Sequence, residues 1–246
     1  CKHPIMAMEL LRKIGAMHYV IPELEETYSM TQNEYHFGTV WEHTMMVLEG
    51  TKDDNMILRI SALLHDIGKI RVCTEEDGKI HFLKHELKSG EMIDELLRPL
   101  KFSNEIIKEV TFLVRNHMIC KTWGSECEYM KDKKLRRLQY ECKTEERFRN
   151  LMTIIDADNN AYAADKCMPK QVEFILSRTE AMKAEGSAMF GYKLPLTGKE
   201  IMDLKGIKPG SAVKECLDYL MKIAFANPLR KKEEFVKHLL GYRLQK

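Results

Sequence analysis

SALLHDIGKI, residues 61–70, decides how the rest of the chain is read. Ser61 to Leu64 and Ile67 to Ile70 have the character of a buried helix and its exit, yet His65 and Asp66 stand between them. An unpaired charge buried among apolar side chains is heavily penalised. A bound metal removes that penalty, because it takes neutral imidazole and ionised carboxylate together and neutralises the charge.

Outward from this stretch the pattern is helical nearly throughout. Residues 4–17 carry Ile5, Met8, Leu11 and Ile14 at helical spacing, and Pro4 suits a first turn. Thr39 and Glu42 form a capping box, so a helix is predicted to start near Val40. Asp53 to Asn55 start the next helix, which is predicted to run to about Ile67 and to end at Gly68. Asp77-Gly78 lies between short β-prone pieces within 71–83, which predicts a small hairpin or ordered loop. Helices are expected again near 85–97, 103–118 (with a Ser103 cap), 130–141, 145–164 and 169–185. Residues 186–196 read as a linker. Thr197 and Glu200 form a second capping box, and 211–225 and 230–240 resume helix after the break at 204–211.

The stripe on 103–118 runs Ile106, Val110, Leu113 and then His117; on 85–97 it runs His85, Ser89, Ile93, Leu96. On 145–164 Leu151 and Ile155 lead to Asp158 and Tyr162, and His43 follows Trp41 in the run before MMVL. One such histidine is usually a satisfied core residue. Six groups, His43, His65, Asp66, His85, His117 and Asp158, all on or near apolar helix faces, read as a metal site. Their nitrogen and oxygen donors suit Mn, Fe, Co, Ni or Zn, and Mg less well. His43, His65, Asp66 and Asp158 would hold one ion, and His85 and His117 a second; two ions ~3.5–4 Å apart can clamp a phosphate and generate a nucleophile.

Asp156 is the alternative to Asp158. At about 100° per residue the two point roughly 200° apart. The apolar centre of that helix lies closer to Asp158, which is the preferred ligand. Lys69 is read two ways, as a cation at a helix C-terminus or as a phosphate-binding, catalytic side chain. Arg115 is a further candidate for neutralising substrate phosphate.

Hydrophobic residues make up 44% of the 246, enough for one large domain or a domain with an appendage. Charged residues make up 31% and nearly cancel to +2, which argues against a strongly polybasic nucleic-acid binder but leaves room for a local basic patch. Two features could contact RNA. GIKPGS (206–211) places backbone N–H groups ahead of a helix, and KDKKLRR (131–137) puts five basic residues in seven. An ordinary helix corner and a solvated helix face explain them as well. Seven scattered cysteines without a CxxC suit a reducing cytoplasm, and no apolar run is long enough to span a membrane. The chain begins on Cys1 rather than Met, which raises the expectation of a fragment or a processed chain.

His43, His65-Asp66 and Asp158, with HDIGK, resemble the HD metal-dependent phosphohydrolase superfamily; His85 and His117 resemble its dinuclear members. LLRKIGAMHYVIPEL (10–24), TVWEHTMMVL (39–48), HFLKHELKSGEMI (81–93), LKFSNEIIKEVTFLVRNHM (100–118) and LPLTGKEIMDLKGIKPGSAV (194–213) are similar to the HD-bearing part of bacterial CCA-adding tRNA nucleotidyltransferases and related poly(A) polymerases. The polymerising head of that family uses a Gly-Ser turn followed by paired strand carboxylates, which do not occur here. Asp156-Ala-Asp158 has a DxD spacing but lies on a helix, so this chain alone is not expected to add nucleotides.

The resemblance implies an all-α fold with a neck at 1–37, an HD domain at 38–185, and a linker and C-terminal helical region at 186–246. It implies hydrolysis of a nucleotide or RNA-end phosphate ester, of 2′,3′-cyclic phosphodiesterase or phosphatase type. Asp66 would bridge or orient the ions and help deprotonate water. The rival implication is an RNA- or tRNA-gripping body whose metal site is not catalytic.

Overall fold

The computed structural model describes residues 2–32, 38–51, 55–162, 164 and 166–244. Among them the order is α1 (Pro4–Lys13), α2 (Met17–Val20), α3 (Glu23–Glu26), α4 (Val40–Gly50), α5 (Met56–Leu64), α6 (Lys69–Val72), β1 (Thr74–Glu76) and β2 (Lys79–His81). Then come α7 (His85–Leu97), α8 (Asn104–Asn116), a 3-10 turn (Lys121–Trp123), α9 (Asp132–Cys142), α10 (Glu145–Asn160), α11 (Gln171–Ala184), α12 (Gly198–Lys205), α13 (Ser211–Ala226) and α14 (Lys232–Gly241). The fold is all-α, with one small antiparallel hairpin.

Local chemistry sets most of these limits. Thr39 accepts from the Glu42 N–H at 3.2 Å while Glu42 accepts from the Thr39 N–H at 2.7 Å, the reciprocal pair that starts α4. Asn55 caps α5 through the Ile57 N–H at 2.9 Å; Asp53 and Asp54, also within the expected start, lie outside the described residues. Ser103 caps α8. Asp77 and Gly78 both take positive φ (51° and 71°), as a two-residue hairpin turn requires. The helix expected over 4–17 breaks after Lys13, where Gly15 turns left-handed at φ 70°.

The helix expected to run to Gly68 stops at Leu64, and residues 65–68 form a turn that leads into α6. Gly68 is not a left-handed helix stop: its φ is −66°. A Cβ there would lie 2.4 Å from the Ser89 backbone nitrogen and 2.6 Å from the His85 carbonyl oxygen. Glycine is needed because α7 crosses directly against this turn, and the Gly68 N–H donates to Ser89 Oγ at 2.8 Å.

The chain divides into two compact units, Cys1–Tyr129 with Arg149–Val172, and Met130–Phe148 with Glu173–Lys246. This division differs from the expected boundaries at 37/38 and 185/186. The first unit packs Val40, Leu58, Leu64, Ile93, Val110, Leu113, Leu151 and Ile155 out of water. The second is built around Met189, Leu196, Ile201, Cys216, Leu220, Phe225, Phe235 and Leu239. α9 belongs there because Gln139 accepts from the Met189 N–H at 3.1 Å and Arg136 donates to the carbonyls of Ser187, Phe225 and Ala226. Arg136 is thus 8% exposed, a buried clamp rather than a member of an open basic strip.

Candidate metal centre

Five segments of the first unit each deliver part of one cluster. His43 comes from α4, His65 and Asp66 from the turn after α5, His85 from the first position of α7, His117 from the end of α8, and Asp158 from α10. All six are buried, His85 the most exposed at 8%. His117 and Asp158 continue the core stripes of α8 and α10, so the packing that buries those stripes also carries these polar ends to the cluster.

Asp66 is the centre of the arrangement. Its Oδ2 lies 3.3 Å from His65 Nε2 and 3.5 Å from His43 Nε2. Its Oδ1 lies 3.0 Å from His85 Nε2 and 3.7 Å from His117 Nε2. Asp158 Oδ1 joins the first group, 3.1 Å from His43 Nε2 and 3.9 Å from His65 Nε2. Two donor groups, His43–His65–Asp66 and Asp66–His85–His117, therefore share Asp66.

The four imidazoles are held in one tautomer. Nδ1 of His43, His65, His85 and His117 meets the backbone carbonyls of Ala161, Ala62, Phe82 and Val114 at 3.2, 2.7, 2.9 and 2.7 Å. A carbonyl only accepts, so each Nδ1 carries a proton and each ring turns its Nε2 inward. His43 and His65 then face each other through Nε2 at 3.3 Å, and so do His85 and His117. In the tautomer with the proton on Nδ1 these atoms present lone pairs, which a cation between or beside them draws together. The donor set fits a divalent metal, and the carbonyl-anchored rings are the usual support for imidazole ligands.

The electrostatics agree. Burial works to raise the Asp66 pKa, but His65, Lys69 and His85 hold it well below the usual carboxylate range. Burial acts likewise on Asp158, where Lys121 and His43 outweigh it. Burial also opposes charging His65, yet Asp66 and Asp158 raise its pKa above the ordinary histidine value. His117 is pushed down to about 3 by burial, with His65 and His85 adding like-charge repulsion. The cluster keeps both carboxylates ionised and sets its imidazoles apart in proton affinity.

The sequence profile of the family described as HD domain matches residues 33–159, half of the chain and all six cluster residues. This chain belongs to the HD domain family. The chain is also 27% identical over 214 residues to an A-adding tRNA nucleotidyltransferase of Deinococcus radiodurans, covering 84% of this chain and 47% of that protein. It is 25% identical over 246 residues to a CC-adding tRNA nucleotidyltransferase of Thermus thermophilus, covering 96% and 52%. A multifunctional CCA protein of Actinobacillus pleuropneumoniae is 30% identical over 126 residues, 48% of this chain and 30% of that protein. The chain spans about half the length of the first two relatives.

Beside the cluster of this HD domain lies a cleft of about 430 Å3, lined by Lys69, Phe82, His85, Met118, Lys121, Tyr162, Lys166 and Met168, among others. Lys69 opens α6 and does not close a helix, so no C-terminal dipole positions it. Its Nζ meets Asp66 Oδ2 and Gln32 Oε1, both at 2.7 Å, over the Phe82 ring. Arg115 is placed elsewhere. It is exposed, its stem crosses Gly90, and it lines a separate groove with Leu87, Asp94, Ile107 and Thr111. α8 turns by about 200° between Arg115 and His117, which puts the two on opposite faces. Asp158 faces the cluster, whereas Asp156 is only half-buried. Sequence reasoning passed over Gln32 and Lys121. The one sequence signal for Lys121 was its place four residues after His117, in a short turn anchored by the buried Trp123.

Proposed function

We propose that this HD domain is a metal-dependent phosphohydrolase acting on a nucleotide or RNA-end phosphate ester, of 2′,3′-cyclic phosphodiesterase or phosphatase type. The observation that carries the reading is Asp66, which turns one oxygen to each of two imidazole pairs beside a lysine-lined cleft. Membership in a family of metal-dependent hydrolases supports it.

His43, His65, Asp66 and Asp158 hold one divalent ion, and Asp66, His85 and His117 a second, with Mn, Fe, Co, Ni or Zn suited to the donors and Mg also accommodated. A metal bound there polarises phosphoryl oxygens and makes water a better nucleophile near neutral pH. Asp66 orients both positions by turning one oxygen to each. Lys69, on the wall of the cleft, offsets negative charge that grows on the phosphoryl group and the leaving oxygen. The four carbonyl-anchored rings keep their lone pairs aimed without reorganising.

Purified protein supplied with Mn, Ni, Co or Mg is expected to hydrolyse 2′,3′-cyclic AMP. Asp66→Ala and EDTA treatment are expected to abolish turnover. Metal uptake without turnover of this or other phosphate esters would overturn the reading.

A second reading has its own support. The relatives are named as tRNA nucleotidyltransferases, and α9 exposes Lys133, Lys134 and Arg137 just after Lys131. Under it the chain grips tRNA by its backbone, and Asp66→Ala leaves that binding unchanged. We also place the protein in the cytoplasm, since Cys73, Cys127, Cys167 and Cys216 form no disulfide among the described residues. Among the described residues no helix is long and apolar enough to cross a membrane.

A further inference from the structure

Asp158 uses its two oxygens differently. Oδ1 faces His43 and His65, at 3.1 and 3.9 Å from their Nε2 atoms. Oδ2 faces Lys121 Nζ at 2.9 Å; the contact is ionic, and Oδ2 accepts no aligned hydrogen bond. Lys121 is itself fixed at two further points. Its Nζ donates to Asn159 Oδ1 at 2.9 Å and lies 3.9 Å from the centre of the Tyr162 ring. Asn159 in turn donates to Gln171 Oε1 at 3.0 Å, and Gln171 donates to the carbonyls of Cys120 and Gly124 at 3.1 and 2.7 Å. The two carbonyls flank the 3-10 turn that carries Lys121.

We propose that Lys121 is a positioning residue for the metal site: it occupies Asp158 Oδ2 and leaves only Oδ1 to face an ion. A carboxylate beside a divalent cation can offer one oxygen or two. Here the ammonium takes the second oxygen, and the buried ring of hydrogen bonds through Asn159 and Gln171 fixes the ammonium. With Lys121 removed, Oδ2 is left buried without a counter-charge. Asp158 then turns both oxygens to the ion, and the coordination number rises. The inference rests on the reading of the cluster as a metal site.

The test is the visible spectrum of the purified full chain loaded with Co2+ alone, which reports coordination number without any substrate. Lower-coordinate Co2+ absorbs strongly and higher-coordinate Co2+ weakly. Lys121→Met is expected to lose visible intensity relative to the unmodified chain, and Lys121→Arg, which keeps the cation, to retain it. Should Lys121→Met not fold, Lys121→Gln is read in its place. An unchanged spectrum in the charge-removing variant overturns the role of Lys121 while leaving the metal site standing. Failure of the unmodified chain to take up Co2+ overturns both.

Discussion

Asp66 Oδ1 lies 3.0 Å from His85 Nε2, and the opposite oxygen of the same carboxylate serves His43 and His65. One side chain thus joins two groups of donors that come from different helices. If both groups bind, their losses are unequal. Asp66→Ala is expected to remove bound metal from both positions, His117→Ala from one, and Asp158→Ala from the other. Metal content per chain after equilibration with Co2+ or Mn2+ checks this. Equal retention in Asp66→Ala and His117→Ala would remove the bridging role.

Gly68 shows how tightly this turn is held. A methyl group there would meet α7 backbone at 2.4 Å, which a side-chain rotation cannot relieve. Gly68→Ala is expected to destabilise the protein by about 1–3 kcal/mol, the range for forced overpacking, and to weaken metal binding by moving His65 and Asp66. Urea unfolding and metal titration measure the two effects. An unaltered midpoint would mean that α7 and the turn can part at little cost.

Acid should weaken the metal-free protein. Unfolded His117 titrates near its ordinary value of 6.5, whereas folded His117 is held down to about 3. Between those values the unfolded chain takes a proton that the folded one refuses, so the stability present above 6.5 is lost as the pH falls. The depressed Asp66 and Asp158 act in the same direction below the ordinary carboxylate range. The raised His65 acts oppositely, with a contribution present below 6.5 and lost as the pH rises through its folded value. Urea midpoints of EDTA-treated protein are expected to fall from pH 6.5 to 4, less steeply in His117→Gln. A flat profile in the parent would contradict this assignment.

The basic run on α9 splits by burial. Arg136 ties α9 to the carbonyls of Phe225 and Ala226, with Asp132 at 3.4 Å. Arg136→Ala leaves buried acceptors unpaired and is expected to cost about 1–3 kcal/mol. Lys133→Ala with Lys134→Ala should leave stability near the parent value, since both are exposed. On the RNA-gripping reading that pair weakens tRNA binding and lowers its salt slope by up to about 2. Thermal unfolding and binding titrations at several salt concentrations separate the outcomes.

The sequence by itself determined the helical order, the caps at Thr39, Ser103 and Thr197, a helix start within Asp53 to Asn55, a hairpin or ordered loop at Asp77-Gly78, and the set of polar groups on or near apolar helix faces. These follow from neighbours three or four residues apart, which a single chain displays. Only the tertiary structure decided that Asp158 faces the cluster, that Arg115 does not, that Arg136 is a clamp, and that Lys121 holds Asp158. Gly68 belongs with them, because what it meets is Ser89 on another helix. Periodicity says which face of a helix is buried, but not which side chain from a distant segment arrives there. That depends on how the helices pack.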